Sequence, residues 1–296
     1  MKVVQLDYKS INPCDKPIAL CLGYFDGVHL GHINIINEAR KKSELPIGIL
    51  TFDRPVSSLI DNHKSKEVLT SLDDRFRIIS RYSLDYYFVL HIDKDFVSLE
   101  KEDFIEILKK LNVKEIYVGE DYRFAKNRSG NITYLKQHFK VFEVPLLNID
   151  NKKISTQDII EYIKNGDIEK ANDLLGHDYQ IMGVVVKGHQ LGTSLGFPTA
   201  NIKLSDNYVI PKYGVYKTIA YISGVPHLSL TNVGVHPTVN KEDKPTIEVH
   251  IPSYKSDDYN KTIYLEFLSF VREEKKFSST EELQKQIKED LKNINQ

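Results

Sequence analysis

Apolar and polar positions follow two different textures along this chain, and the change comes near residue 180. Upstream, short runs that are apolar almost throughout, IALCLGYF (Ile18–Phe25), PIGILTF (Pro46–Phe52) and DYYFVLHI (Asp85–Ile92), read as strands buried on both faces. Between them lie segments with helical spacing: one from about Leu30 to Lys42, one over Ser71–Tyr82, and LEKEDFIEILKKL over Leu99–Leu111. VKEIYVG and KVFEVP supply two more strands. Such alternation predicts an α/β, Rossmann-like parallel sheet flanked by helices.

Ser155 to Asp158 offers a helix N-terminus, and two short helices should follow, roughly Gln157–Lys164 and Ile168–Leu175, with Gly166 and Gly176 as stops. They read as a connector closing a first domain over 1–180. After Tyr179 come YQIMGVVVKG, TANIKL, GVYKTIAYIS, HLSLTNVG, TIEVHI and KTIYLEFLSFV, parted by Gly, Pro, Asn and Asp. Closely spaced strands of this kind predict a mainly antiparallel β-barrel domain over 181–296. It ends in an amphipathic helix with Leu283, Ile287 and Leu291 on one face, capped by Ser279 or Thr280.

Composition narrows the function classes. Forty basic against forty-one acidic residues give a formal charge of −1, and no basic block stands out, so nothing argues for nucleic acid or a membrane surface as partner. Two cysteines, Cys14 and Cys21, make no disulfide framework. With no signal-like N-terminus and no apolar run of spanning length, the reading is a reduced, cytoplasmic protein acting on small molecules.

Two stretches carry chemistry. GYFDGVHLGH (Gly23–His32) leaves a buried strand and enters a helix, where backbone N–H groups and the helix dipole favour an anion. Gly23, Gly27 and Gly31 allow close backbone approach, and His29 and His32, three apart, share one side of the first turn. Phosphate binding is the favoured reading. A metal held by the two histidines with Asp26, and a merely tight turn, are the alternatives. Neither the P-loop nor the dinucleotide fingerprint is present.

The second stretch, GVVVKGHQLGTSLGFPTAN, places Gly183, Gly188, Gly192 and Gly196 ahead of a polar corner. Loop N–H groups can cradle phosphates, and the oxygens of Thr199 and Asn201, two apart on a strand, suit Mg²⁺ bound with substrate phosphates. A mobile hairpin loop is the competing reading. Glu248 in TIEVHI is a candidate base for a hydroxyl nucleophile, against the commoner solvent-facing strand glutamate.

GYFDGVHLGH resembles the signature of the nucleotidyltransferase superfamily in the form found in bacterial bifunctional riboflavin kinase/FAD synthetases, and YVGEDYRFAKNRSGN (Tyr117–Asn131) resembles a further segment of that family. The stretch GVVVKGHQLGTSLGFPTANI, followed in order by PKYGVYKTIAYI, LTNVGVHPTV, TIEVHI and FVREEKKFSSTEELQKQIKED, is similar to the riboflavin kinase domain over essentially all of 181–296. The resemblance implies ATP-dependent phosphorylation of riboflavin to FMN and adenylylation of FMN to FAD, with Mg²⁺ and ATP. It implies that His29 and His32 contact ATP phosphates, with Gly23, Phe25, Asp26 and Gly27 shaping the pocket and Ser155 beside it. Asp121, Arg123 and Arg272 would lie near flavin, Thr199 and Asn201 would bind the Mg²⁺-nucleotide, and Glu248 would be the kinase base.

The chain departs from the family pattern at Gln157 and Ile160, where a Thr and an Arg are usual, at FDRPVS (Phe52–Ser57), which lacks a His, and at Thr193 in place of an Arg. These departures frame the alternative reading, a riboflavin kinase with a weakened or regulatory adenylyltransferase domain. A third reading is a non-catalytic nucleotide- or flavin-binding protein.

Overall fold

The computed structural model describes residues 1–60, 67–149, 152–187, 196–235, 245–252, 254 and 258–294. These form two compact units, Met1–Thr156 and Gln157–Gln296. The two helices of the predicted connector therefore lie on the barrel's side of the division. The second of them packs on the first and last barrel strands.

In the first unit the elements run β1 (Lys2–Asp7), β2 (Ile18–Leu22), α1 (Leu30–Lys42), β3 (Ile47–Phe52), α2 (Leu72–Ile79), β4 (Tyr86–His91), α3 (Lys101–Lys110), β5 (Val113–Gly119) and β6 (Lys140–Val144). The six strands make one sheet in the order β1-β4-β3-β2-β5-β6, and every pairing is parallel. All five residues of β2 are buried, which explains their uniformly apolar sequence. Separate clusters of buried residues fill the two faces, one around Leu20, Phe88 and Leu108, the other around Cys21, Ile36 and Tyr117. From β2 the chain builds outward through β3 and β4, then returns to place β5 on β2's other side. The crevice at the carboxyl ends of β2 and β5 is thus the topological switch point, where open α/β sheets hold their ligands.

The second unit opens with α4 (Thr156–Asn165) and α5 (Ile168–Leu175). The strands β7 (Tyr179–Val186), β8 (Thr199–Leu204), β9 (Gly214–Ile222), β10 (Val225–Val235), β11 (Pro245–His250) and β12 (Thr262–Arg272) follow, and α6 (Thr280–Ile294) ends it. The strands close into an antiparallel barrel in the order β7-β8-β11-β10-β9-β12. Ile181, Val185, Ile202, Val233, Ile247, Val249 and Leu265 are buried inward-facing positions. Leu291 and Ile294 of α6 pack with Val215, Leu228, Leu230 and Val271.

Gly183 needs correction as a phosphate-loop residue. It is a buried position in the middle of β7, and a Cβ there would stand 2.5 Å from both the Ile202 side chain and the Lys203 carbonyl oxygen. Its bare backbone lets β7 and β8 close. Gly183→Ala should destabilise the barrel by about 1–3 kcal/mol, since a backbone oxygen cannot move aside as a side chain would. A thermal melt of the variant reads this as a lowered Tm.

Candidate active sites

At the carboxyl end of β2 the backbone turns through a strained loop. Phe25, Gly27 and Val28 have φ of 58°, 74° and 43°. Only the glycine takes such values freely, and strain of this kind in an L residue costs about 1–3 kcal/mol. The buried Asp26 carboxylate holds the loop in place. It accepts the Leu69 N–H at 3.0 and 3.1 Å, and the Thr70 N–H at 2.9 Å and hydroxyl at 3.0 Å, while Gly27 N–H donates to the Thr70 hydroxyl at 2.9 Å. Burial nevertheless raises the Asp26 carboxyl above its ordinary range, these hydrogen bonds opposing the shift. Asp26 therefore shapes the pocket as a brace.

His29 caps α1 by backbone position, and His32 stands one turn in. Their rings stack with centroids 3.7 Å apart and planes 18° from parallel, and Phe25 leans on His32 at 5.1 Å. Gly31 makes the stack possible, since a Cβ there would lie 3.1 Å from the His29 ring. The buried Nδ1 of His32 has no hydrogen-bond partner. Burial foremost, then His29 and then Arg75, hold the His32 imidazole well below its ordinary value. Neutral and one bond short, His32 is prepared to meet an anion.

Arg75 is the residue that motif reading misses. It is 2 % exposed on α2. Its guanidinium donates to the Tyr24 carbonyl at 3.0 Å, the Thr51 hydroxyl at 2.6 Å and the Phe52 carbonyl at 3.2 Å, and stacks over the Tyr24 ring at 4.5 Å. The signal was an arginine three and four residues before Ile78 and Ile79, on the helix's apolar side. It fixes the ends of β2 and β3 together and lends the site fixed positive charge.

Across the switch point, beyond β5, Asp121 pairs with Lys153, and Arg123 is exposed with its guanidinium on the Tyr122 carbonyl at 2.9 Å. Ser155 immediately precedes α4.

In the barrel, register brings the second set together. Asn201 on β8 stands directly opposite Glu248 on β11, and Glu248 directly opposite Asn232 on β10. Facing residues of antiparallel strands point to the same side. Ile247 and Val249 fill the barrel, so Asn201, Glu248 and Asn232 form a half-buried polar row on its outer face. Thr199 belongs to the same face, opposite His250, whose Nδ1 lies 2.8 Å from the Pro198 carbonyl and whose ring meets Phe197. Asn232 was missed because a lone strand asparagine carries no motif signal. It also donates to Glu274 at 3.3 Å, whose carboxylate lies where a Cβ at Gly234 would be. Gly196, at φ 83°, turns the chain ahead of β8 with open space around it, while Gly188 and Gly192 lie outside the described residues.

Arg272 continues the row through Val215. Its Nε donates to both oxygens of the buried Asp290 carboxylate on α6, at 3.1 and 2.9 Å, and its Nη2 lies 2.8 Å from Asp290. The strongest bonds of Arg272 therefore anchor the C-terminal helix. Among the described residues no group of three or more His, Cys, Asp or Glu side chains could hold a metal ion, and no helix is long and apolar enough to cross a membrane.

The family model for FAD synthetase matches residues 11–158, and that for riboflavin kinase matches 175–296. The chain is 33 % identical over 282 residues to the bifunctional riboflavin kinase/FMN adenylyltransferase of Bacillus subtilis, covering 92 % of this chain and 89 % of that one. The chain belongs to the bifunctional riboflavin kinase/FMN adenylyltransferase family. The Escherichia coli K12 member is 31 % identical, with 98 % of this chain and 96 % of that one covered. A crystal structure described as a macrolide-efflux protein from Streptococcus pneumoniae superposes with a TM-score of 0.91 at 28 % identity, over 99 % of this chain and 98 % of that one. Both halves of this family's chemistry, phosphoryl and adenylyl transfer, thus have a matching unit here.

Proposed function

We propose that the barrel unit makes FMN from riboflavin and ATP, and that the parallel-sheet unit joins FMN to a second ATP to give FAD and pyrophosphate. The observation that carries the reading is Glu248 held in register between Asn201 and Asn232, inside a riboflavin kinase match that follows an FAD synthetase match. The boundary between the working domains falls at Thr156/Gln157, where the first connector helix begins, and the protein works in the cytoplasm.

In the kinase step Glu248 accepts the proton of the ribityl 5′-hydroxyl as its oxygen bonds to the γ-phosphorus and the bond to ADP breaks. Asn201 and Asn232 flank Glu248 on the neighbouring strands, so most of the catalysis is placement. Thr199 and Asn201 offer hard oxygen donors on one face and would hold Mg²⁺, which when bound neutralises phosphate charge. In the second step an FMN phosphate oxygen attacks the α-phosphorus of ATP, already anionic and needing no strong base. His29 and His32 donate hydrogen bonds to the departing pyrophosphate. Gly23, Phe25, Gly27 and Gly31 let the nucleotide approach, with Ser155 on the ATP-phosphate side, Asp26 and Arg75 keep the loop in shape, and Asp121 and Arg123 border the flavin side. Arg272 positions α6 beside the flavin end of the barrel row.

Incubating the purified chain with riboflavin, ATP and Mg²⁺ and resolving products by chromatography tests the scheme. FAD with FMN as intermediate is the expected outcome. FMN alone would overturn the adenylylation half, and absence of both would overturn the whole.

The depressed His32 value gives a second expectation. Because the folded-state value lies below the unfolded one, the unfolded chain takes the proton more readily, and the stability His32 contributes is complete only above about pH 6.5. It is lost as pH falls from there toward the folded-state value. A bound polyanion reverses the bias, so ATP binding should draw a proton onto the stacked pair. Titration calorimetry at pH 6.5 in two buffers of different ionisation enthalpy should show this uptake, and His32→Ala should remove it.

A further inference from the structure

The lysines of the first unit look scattered in sequence, but the fold gathers several of them around one cavity. Lys109 closes α3, Val113 and Lys114 begin β5, Lys136 and His138 follow a short helix, and Phe139 and Lys140 lead into β6. Together these residues line a cavity of about 490 Å³. The parallel pairing of β5 with β6, which sets Glu115 against Lys140, brings the two segments side by side. All of this lies at the amino ends of the strands. The histidine stack and Asp121 lie at the carboxyl ends, so the seven residues of β5 put roughly 20 Å between the two places.

A bland origin accounts for part of the cluster. Lys109 in the last turn of α3 complements the helix dipole, and Lys136 caps the short helix before it. That argument does not reach Lys114 and Lys140, which sit at strand ends. Three of the lysines have carboxylate neighbours: Lys109 with Glu106 at 2.8 Å, Lys140 with Glu115 at 2.8 Å, and Lys136 with Glu143. The lysine ends of these pairs are all open to water. The Lys109 and Lys136 pairs, exposed at both ends, release their ammonium groups at small cost, whereas Lys140 is held on the buried Glu115 carboxylate. The cavity is of small-molecule size, lined by four lysines and a histidine together with buried Val113 and half-buried Phe139.

We propose that this cavity is a second anion site, separate from both catalytic centres, for a phosphoanhydride chain, either free or carried by a nucleotide. Several flexible point charges around a recess suit the multiple charges of a polyphosphate better than a single carboxylate.

Lysine acetylation of the full-length chain, quantified residue by residue by mass spectrometry, tests it. Millimolar inorganic tripolyphosphate should slow acetylation of Lys109, Lys114, Lys136 and Lys140 together by about threefold or more, the protection given by two-thirds occupancy. Sodium chloride of matched ionic strength should not. ATP run in parallel separates the sources: equal protection assigns the site to the free chain, and protection at tenfold lower ATP assigns it to a nucleotide. The double variant Lys114→Glu/Lys140→Glu should lose protection at Lys109 and Lys136 while forming FMN at the unaltered rate. Absence of protection by either compound, or equal protection by chloride, would overturn the proposal.

Discussion

Glu248→Gln should lower the rate of FMN formation by roughly 10²–10⁴-fold while leaving adenylylation of supplied FMN intact. The amide keeps the size of the carboxylate and its place between Asn201 and Asn232, so barrel and register should survive. What it loses is the capacity to accept the ribityl proton. The deficit should therefore appear in kcat, with the riboflavin KM little changed, because the group acts in the transition state more than in binding. Glu248→Asp is the informative companion. It retains a base but withdraws it by one methylene, and a partial loss between the two extremes would mark position as a separate requirement. FMN formation by Glu248→Gln within about threefold of the parent rate would remove Glu248 as the base, since a positioned base contributes far more than that.

Much of the architecture was legible because strong periodicity and clear stop signals coincide. The spans predicted for α1, β5 and β8, Leu30–Lys42, Val113–Gly119 and Thr199–Leu204, are the spans observed. β1 was not legible. KVVQLD pairs with β4 alone and exposes most of its side chains, so it lacks the uniformly apolar pattern that reveals β2. Glycines were the other source of error. Gly183 and Gly196 read alike in sequence, yet one relieves a collision between strands and the other turns the chain in open space. Charged residues show the same limit. Arg272 reads as a ligand contact, and nothing in the sequence signals that Asp290, eighteen residues on, stands against it. Arg75 reads as one more surface charge until its acceptors on Tyr24, Thr51 and Phe52 appear. These roles depend on contacts between distant segments, and local pattern carries no trace of them.

His32→Ala should lower FAD formation from FMN and ATP by about 10²–10³-fold, the cost of removing one donor aimed at developing charge. FMN formation from riboflavin should be unchanged, because the kinase row lies in the other unit. His32 has a buried Nδ1 without a hydrogen-bond partner and is braced between Phe25 and His29. Its removal takes away both a donor and the ring against which His29 is stacked. His32→Asn separates the two effects. It restores a hydrogen-bond donor without the aromatic face, so partial recovery would assign the larger share to the hydrogen bond, and no recovery would assign it to the stack. The pH dependence supplies a readout that misfolding cannot imitate. Burial foremost, then His29 and Arg75, hold His32 neutral in the free chain. Because bound ATP draws a proton onto the stack, adenylylation by the parent should gain from falling pH near 6.5 and the variant should lose that gain. An FAD yield and pH profile both unaltered by His32→Ala would place the adenylylation chemistry elsewhere in the switch-point crevice.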